Sequence, residues 1–211
     1  YPDNLIGPWT IHLGGTLNLE DSYFLREKPD IPADFNLEVL ESRDAHPDLI
    51  NHIPKKIDDL TIPHIASPDA HVDDSNKIVI LYYHGLDEFG LQKTRVATSE
   101  DGINFKARKK IVGWPYFRKF KYQNNDYALS MPGIIYKNTG DIEDFMIINQ
   151  VMEENTRHSA VLVQNDKLLT FDTIKGDPPE RILLTTLDLT MPHTLWETSK
   201  PIEVLQPEKE W

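Results

Sequence analysis

Three stretches of the chain carry side chains whose types and spacing could do chemistry. In "SPDAHVDDSNKIVILYYHG" (67–85), Asp69 and His71 stand two residues apart, hence on one face of a strand, and His84 follows near the end. "WPYFRKF" (114–120) offers Arg118 among aromatics, and "ENTRHSAVLV" (154–163) sets Arg157 and His158 directly before an apolar run. A carboxylate beside an imidazole can exchange protons with a ligand. A guanidinium grips carboxylate or phosphate through two parallel hydrogen bonds, or donates to hydroxyl groups. Four more acidic residues stand close to these stretches or in nearby loops: Glu153 and Glu154 in "MEEN", Glu180 in "GDPPERILL", and Asp21 at the close of "LNLEDS".

Each of these residues also has a plainer reading. An Asp after a Pro makes turns or caps a strand, and a buried histidine is as readily a satisfied core imidazole as a ligand. Arg157–His158 would serve as a surface pair ahead of a buried strand, and "MEEN" as a charged loop. Asp73 and Asp74 precede Ser-Asn, which reads as a solvated hairpin turn. Tyr82, Tyr83, Trp114 and Tyr116 could stack on a ligand ring, yet large aromatics also fill the space between sheets.

What is missing narrows the chemistry. The 211 residues contain no cysteine, so disulfides, thiolate nucleophiles and Cys-based zinc sites are excluded. No GxSxG elbow, P-loop or HExxH pattern occurs, and the histidines are too scattered to make a metal site by spacing. The net charge of −12 argues against nucleic acid, whose phosphates are bound by Lys and Arg. No apolar run reaches the roughly 18 residues that crossing a bilayer takes. With 39% hydrophobic and 27% charged residues, the chain has the composition of one sizeable globular domain, and its compartment stays open. It begins with Tyr1 and reads as a fragment or a processed product.

The elements that must position these residues are short strands. "KIVILYYHG", "TRVATSEDG", "NDYALSMPG", "DKLLTFDTI" and "RILLTTLDL" are β-branched and aromatic runs separated by turn formers. Helical periodicity is scarce, apart from a short helix expected within 32–53. A repeat emerges when the turns are aligned, each unit ending in a polar or glycine-bearing turn and an aromatic: Trp9, Phe105, Phe145 and Trp196. The last two spacings are 40 and 51 residues. Four antiparallel strands per period are what a β-propeller blade needs, and the alternative is a β-sandwich. The expectation is one all-β propeller domain over 1–211, with blades at 67–113, 114–152 and 157–206. Residues 1–20 would end an earlier blade, and 21–66 would be an insertion lying over one face and walling a pocket.

At this level the chain resembles the five-bladed propeller glycosidases of the family 43 and family 32 type. The residues that carry the likeness are "LIGPWTIH", "SPDAHVDDSNKIVILYYHG" and "RVATSEDGINF". They cover the blade signature rather than the reaction. The resemblance implies five blades, of which about three complete ones and part of another are present. It also implies an axial pocket with three carboxylates: a base or nucleophile, an acid, and one that tunes the acid. The first of these belongs to an opening blade not found here. Asp69 matches the family's Pro-Asp, and Glu154 is the candidate acid, because the family's acid is a Glu in a later blade. His71, His84, Arg118, Arg157, His158, Asp21 and Glu180 are the candidate substrate-binding residues. No cofactor is expected, although a structural Ca²⁺ or Na⁺ near the axis would suit the family. The implied activity is glycoside hydrolysis of an oligosaccharide or glycoside by two carboxylates, about 5 Å apart for retention and about 6.5–9.5 Å for inversion. The alternatives are a glycoside phosphorylase, with Arg118, Arg157 and His158 holding phosphate, a non-catalytic sugar-binding propeller, and a scaffold without a ligand site.

Overall fold

Alternation of apolar and polar residues, closed at each end by turn formers, gives twelve strands among the described residues. The computed structural model describes residues 6, 8, 11–36, 57–153, 155–177 and 179–208. The strands form three antiparallel sheets of four, each a simple meander. The first blade holds β1 (Ile65–Asp73), β2 (Ile78–Glu88), β3 (Leu91–Ser99) and β4 (Lys106–Ala107). The second holds β5 (Arg118–Tyr122), β6 (Asn125–Ser130), β7 (Ile134–Asn138) and β8 (Phe145–Gln150). The third holds β9 (Thr156–Gln164), β10 (Lys167–Ile174), β11 (Ile182–Asp188) and β12 (Ile202–Leu205). The fold is all-β, built of propeller blades. Among the described residues the longest helix is α1 (Ile57–Thr61), a single turn. The helix expected within 32–53 falls largely outside the described residues.

Local chemistry explains the turns. Asn165 and Asp166 join β9 to β10, both in left-handed backbone (φ 48° and 58°), with Gln164 and Lys167 paired across them. That is the primed two-residue hairpin, whose twist matches the strands it joins. Asp73 closes the first hairpin by accepting from the Ser75 and Asn76 amides at 3.1 and 3.0 Å. Asp101 does the same for Ile103 and Asn104 at 2.8 and 2.7 Å.

One blade cannot bury both of its faces, so the sheets stack. Tyr82 on β2 is wholly buried against Phe117 and Phe145 of the second blade, and its hydroxyl donates to the Ile142 carbonyl at 2.8 Å. The other face of the second blade presents Phe120, Tyr127, Leu129 and Ile135 to Leu168, Leu187, Leu189 and Trp196 of the third. Phe145 and Trp196, the aromatics of the sequence repeat, each close one interface, and Phe105 packs on the outer face of the first blade. Leu17, Leu19 and Phe24 cover that outer face, where Tyr83 donates to the Ser22 carbonyl at 2.9 Å. Ser22 and Phe24 of the 21–66 segment therefore lie against the side of the first blade that faces away from the second, and the segment's last residues, from Ile65, already belong to β1.

Candidate functional site

The innermost strands β1, β5 and β9 begin at one end of the molecule, and a shared backbone feature marks all three starts. Ser67 in β1 (φ 51°), Tyr116 just before β5 (φ 58°) and His158 in β9 (φ 55°) all adopt left-handed backbone. Ser67 lies where the β1 register shifts between Ala66 and Asp69, and His158 lies where β9 shifts against β10. Left-handed backbone costs a non-glycine residue about 1 kcal/mol or more, and it persists where surrounding contacts dictate it.

Arg118 supplies those contacts. Its Nε donates to the Ser159 carbonyl at 2.8 Å, and its Nη1 donates to the Ser67 and Pro68 carbonyls at 3.0 and 3.4 Å. One guanidinium on β5 thus ties the bulge of β1 to the bulge of β9. Flanking packing aims it: Phe117 is buried toward the first blade and Phe120 toward the third.

Around Arg118 lies a mouth of imidazoles and phenol. The Tyr116 ring sits edge-on between His84 and His158, with centroids 4.6 and 4.7 Å away. His84 is buried, and its Nδ1 accepts from the Tyr116 amide at 3.3 Å, which assigns the ring proton to Nε2. Burial, helped by the positive fields of His64, Arg118 and His158, pushes the His84 pKa down to about 4. His158 pairs through Nε2 with the Tyr116 hydroxyl at 3.0 Å. Burial and then Arg157 lower its pKa as well. Arg157 clasps Glu180 with both prongs, Nε to Oε1 at 3.2 Å and Nη2 to Oε2 at 2.8 Å. Burial pushes the Glu180 carboxyl up, but its bonds from Arg157 and Thr173 outweigh this and leave it below the usual range. Gly85 makes the arrangement possible, since a Cβ there would stand 2.5 Å from the His64 carbonyl and 2.5 Å from the Phe24 ring. At the rim, Trp114 carries Lys93 over its face at 3.3 Å.

Asp69 and His71 stand further along β1. Asp69 Oδ2 accepts from the Lys119 amide at 2.8 Å and pairs with His71 Nε2 at 2.7 Å, stitching the first blade to the second. His71 also borders a cavity of about 370 Å³ at the hairpin end, beside Asp73, Lys119, Lys121 and Asp126. Its charges are largely matched there, with Lys119 3.1 Å from Asp126 and Asp73 engaged by its own turn.

The structure therefore gathers His84, Arg118, Arg157, His158 and Glu180 at one mouth, with Asp69 close enough for its charge to act on Arg118. Asp21 is exposed in the 3-10 turn Leu19–Asp21, beside Ser22, which meets the outer face of the first blade. Glu154 lies outside the described residues. Residue type alone did not single out His64, whose ring centroid is 6.1 Å from that of His84. Asp172 was missed too. It is buried on β10 where the strand faces the β9 bulge, and burial raises its carboxyl to about 6. Its place in an apolar strand, "LLTFDTI", was the signal available. Among the described residues no group of three or more His, Asp or Glu side chains is placed to hold a metal ion. No described helix is long and apolar enough to cross a membrane.

Four-stranded meanders stacked so that their first strands meet are a fold this chain shares, at low sequence identity, with a solved protein described as a candidate glycoside hydrolase. A candidate glycoside hydrolase from Parabacteroides distasonis superimposes with a TM-score of 0.50 over 89% of this chain and 65% of its own, at 12% identity. A family 43 β-xylosidase/α-arabinofuranosidase from a compost microbial metagenome, solved with xylotriose, gives 0.46 over 66% of this chain and 57% of its own, at 14% identity. In sequence, the chain is 28% identical to the uncharacterized protein R118 of Acanthamoeba polyphaga mimivirus, across its full length. It spans 57% of that relative's length. No family model matches the chain.

Proposed function

We propose that these three blades belong to a five-bladed, carbohydrate-active propeller, a glycoside hydrolase, that takes an oligosaccharide or glycoside at the mouth around Arg118. The observation that carries this reading is the meeting of all three inner strands on one guanidinium beside Tyr116, His84 and His158. Sugar recognition needs polar groups that converge from several elements onto a ring, with aromatic edges beside them. His158, Tyr116 and Arg157 would donate to ring hydroxyls, and Trp114 would stack at the rim. Asp69 is the proposed first carboxylate, since His71 and Lys119 hold it by Oδ2 alone and leave Oδ1 for a ligand. Glu154 is the proposed second.

A non-catalytic sugar-binding propeller is the second reading. It draws support from the engagement of both described carboxylates: Glu180 is clasped by Arg157, and Asp69 is held by β5. A screen of aryl glycosides and oligosaccharides, run with Asp69→Asn alongside, separates the two. Hydrolysis that falls by about 10²-fold or more in the variant supports the paired-carboxylate mechanism. Oligosaccharide binding without turnover, unchanged by Asp69→Asn, supports the binder and removes Asp69 from any chemistry.

A further inference from the structure

We propose that the mouth is an oxyanion site, so that the ligand presents a phosphate or carboxylate group to Arg118, Arg157 and His158. The proposal deepens the saccharide reading and rests on it for the kind of molecule that carries the anion. Free phosphate as a co-substrate and an acidic group on the sugar share this chemistry.

The charge balance is the first reason. The chain carries a net charge of −12, yet here the guanidiniums of Arg118 and Arg157 match the carboxylates of Glu180 and Asp69, while burial shifts the His84 and His158 imidazoles toward the neutral form. The mouth is thus close to neutral on an otherwise acidic protein, so an anion meets less repulsion there than elsewhere on the surface.

Unused donors are the second reason. Arg118 spends Nε and Nη1 on backbone carbonyls, and its Nη2 donates to nothing among the described residues. The carbonyl contacts fix the plane of the guanidinium, so Nη2 is held in place before a ligand arrives. Arg157 gives the third reason, since its fork already holds a carboxylate, that of Glu180, in bidentate geometry. Glu180 comes from the β10–β11 loop and is about a third exposed. It shows the shape of the bound anion and competes for the same fork. His158 Nδ1, 3.8 Å from Glu180 Oε1, flanks the same position.

The test is calorimetric titration of the full chain with inorganic phosphate, glucuronate and glucose, repeated on Arg157→Gln and Glu180→Gln. Because Arg118 also ties three strands together, these two peripheral variants carry the measurement. Phosphate or glucuronate should bind in preference to glucose. Arg157→Gln should weaken that binding about tenfold, the worth of a charge-assisted pair. Glu180→Gln should tighten it about threefold, because a partly exposed competing ion pair is removed. Preference for phosphate over glucuronate assigns the anion to free phosphate, and the reverse assigns it to the sugar. Glucose binding as tightly as glucuronate, with no phosphate binding, overturns the oxyanion proposal and leaves the saccharide reading standing. No binding of any of the three overturns both. Anion binding that neither variant moves in the stated direction places the site elsewhere and overturns the assignment.

Discussion

The inner strands have two ends, and their polar residues behave in opposite ways. At the hairpin end, the turn aspartates satisfy their own turns: Asp73 bonds Ser75 and Asn76, and Asp101 bonds Ser99, Ile103 and Asn104, while the side-chain bonds that cross blades there, such as Tyr122 to Asp166, lie exposed. At the starting end, side chains cross between blades: Arg118 reaches β1 and β9, Asp69 reaches β5, and Tyr116 links His84 to His158. A residue that closes its own loop stabilises that loop and leaves nothing for a ligand. A residue that bridges elements is oriented by the whole fold, which is what a binding group needs.

If the bridging end depends on cross-blade bonds, removing Arg118 should have the largest effect. Arg118→Met leaves the Ser67 and Ser159 carbonyls without a charged donor. It should cost about 3 kcal/mol, at about 1.5 kcal/mol or more for each such bond. Urea denaturation measures this, and a loss under about 1 kcal/mol would mean that the bulges hold themselves.

Two buried titratable groups at the same end give the next effect, with opposite signs. His84 has a folded pKa near 4, below its unfolded value of about 6.5, so its contribution is full above pH 6.5 and is lost as pH falls toward 4. Asp172 has a folded pKa near 6, above its unfolded value of 3.8, so its neutral burial stabilises below pH 3.8 and that stability is lost as pH rises through 6. Each swing is worth about 3 kcal/mol, and between pH 4 and 6 they oppose each other. The native chain should therefore be nearly level in that window as far as these two groups go. His84→Gln should make stability fall with rising pH there. Asp172→Asn should make it fall with acidification, while gaining about 2 kcal/mol at pH 7. Chemical denaturation across pH 4–7 reads both slopes, and identical profiles for all three proteins would contradict the burial argument.

The same contrast governs how much the sequence discloses. Hairpin chemistry is local: the strand runs, the Asp turns and the aromatic of each unit lie within a few residues of what they contact. "KIVILYYHG" and "DKLLTFDTI" accordingly fall on β2 (Ile78–Glu88) and β10 (Lys167–Ile174). The mouth is non-local. Arg118 stands 51 and 41 positions from Ser67 and Ser159, and only blade stacking brings them together. Residue type could name Arg118, Arg157 and His158, because arginine and histidine beside aromatics are conspicuous. It could not show that Glu180 would sit on Arg157, or that Asp69 would spend one oxygen on a backbone amide. Asp21 misled because an acidic residue before a turn looks the same whichever face of a blade the turn covers.

The smallest effect belongs to the hairpin end, where Asp101 gathers four hydrogen bonds from its own turn. The amides of Asn104 and Ile103, together with the Asn104 and Ser99 side chains, hold its carboxyl well below the usual range. The group is fully exposed, so water replaces much of what a substitution removes. Asp101→Asn keeps one acceptor oxygen for the two amides and loses the charge. Its melting temperature should drop by no more than about 2 °C, the size of a sub-kilocalorie change in a chain of this length. Ligand affinity at the mouth should not move, because the Asp101 carboxylate bonds only Ser99, Ile103 and Asn104. A variant that lost affinity while keeping its melting temperature would show that the two ends are coupled through the strands, and the division drawn between them would fail.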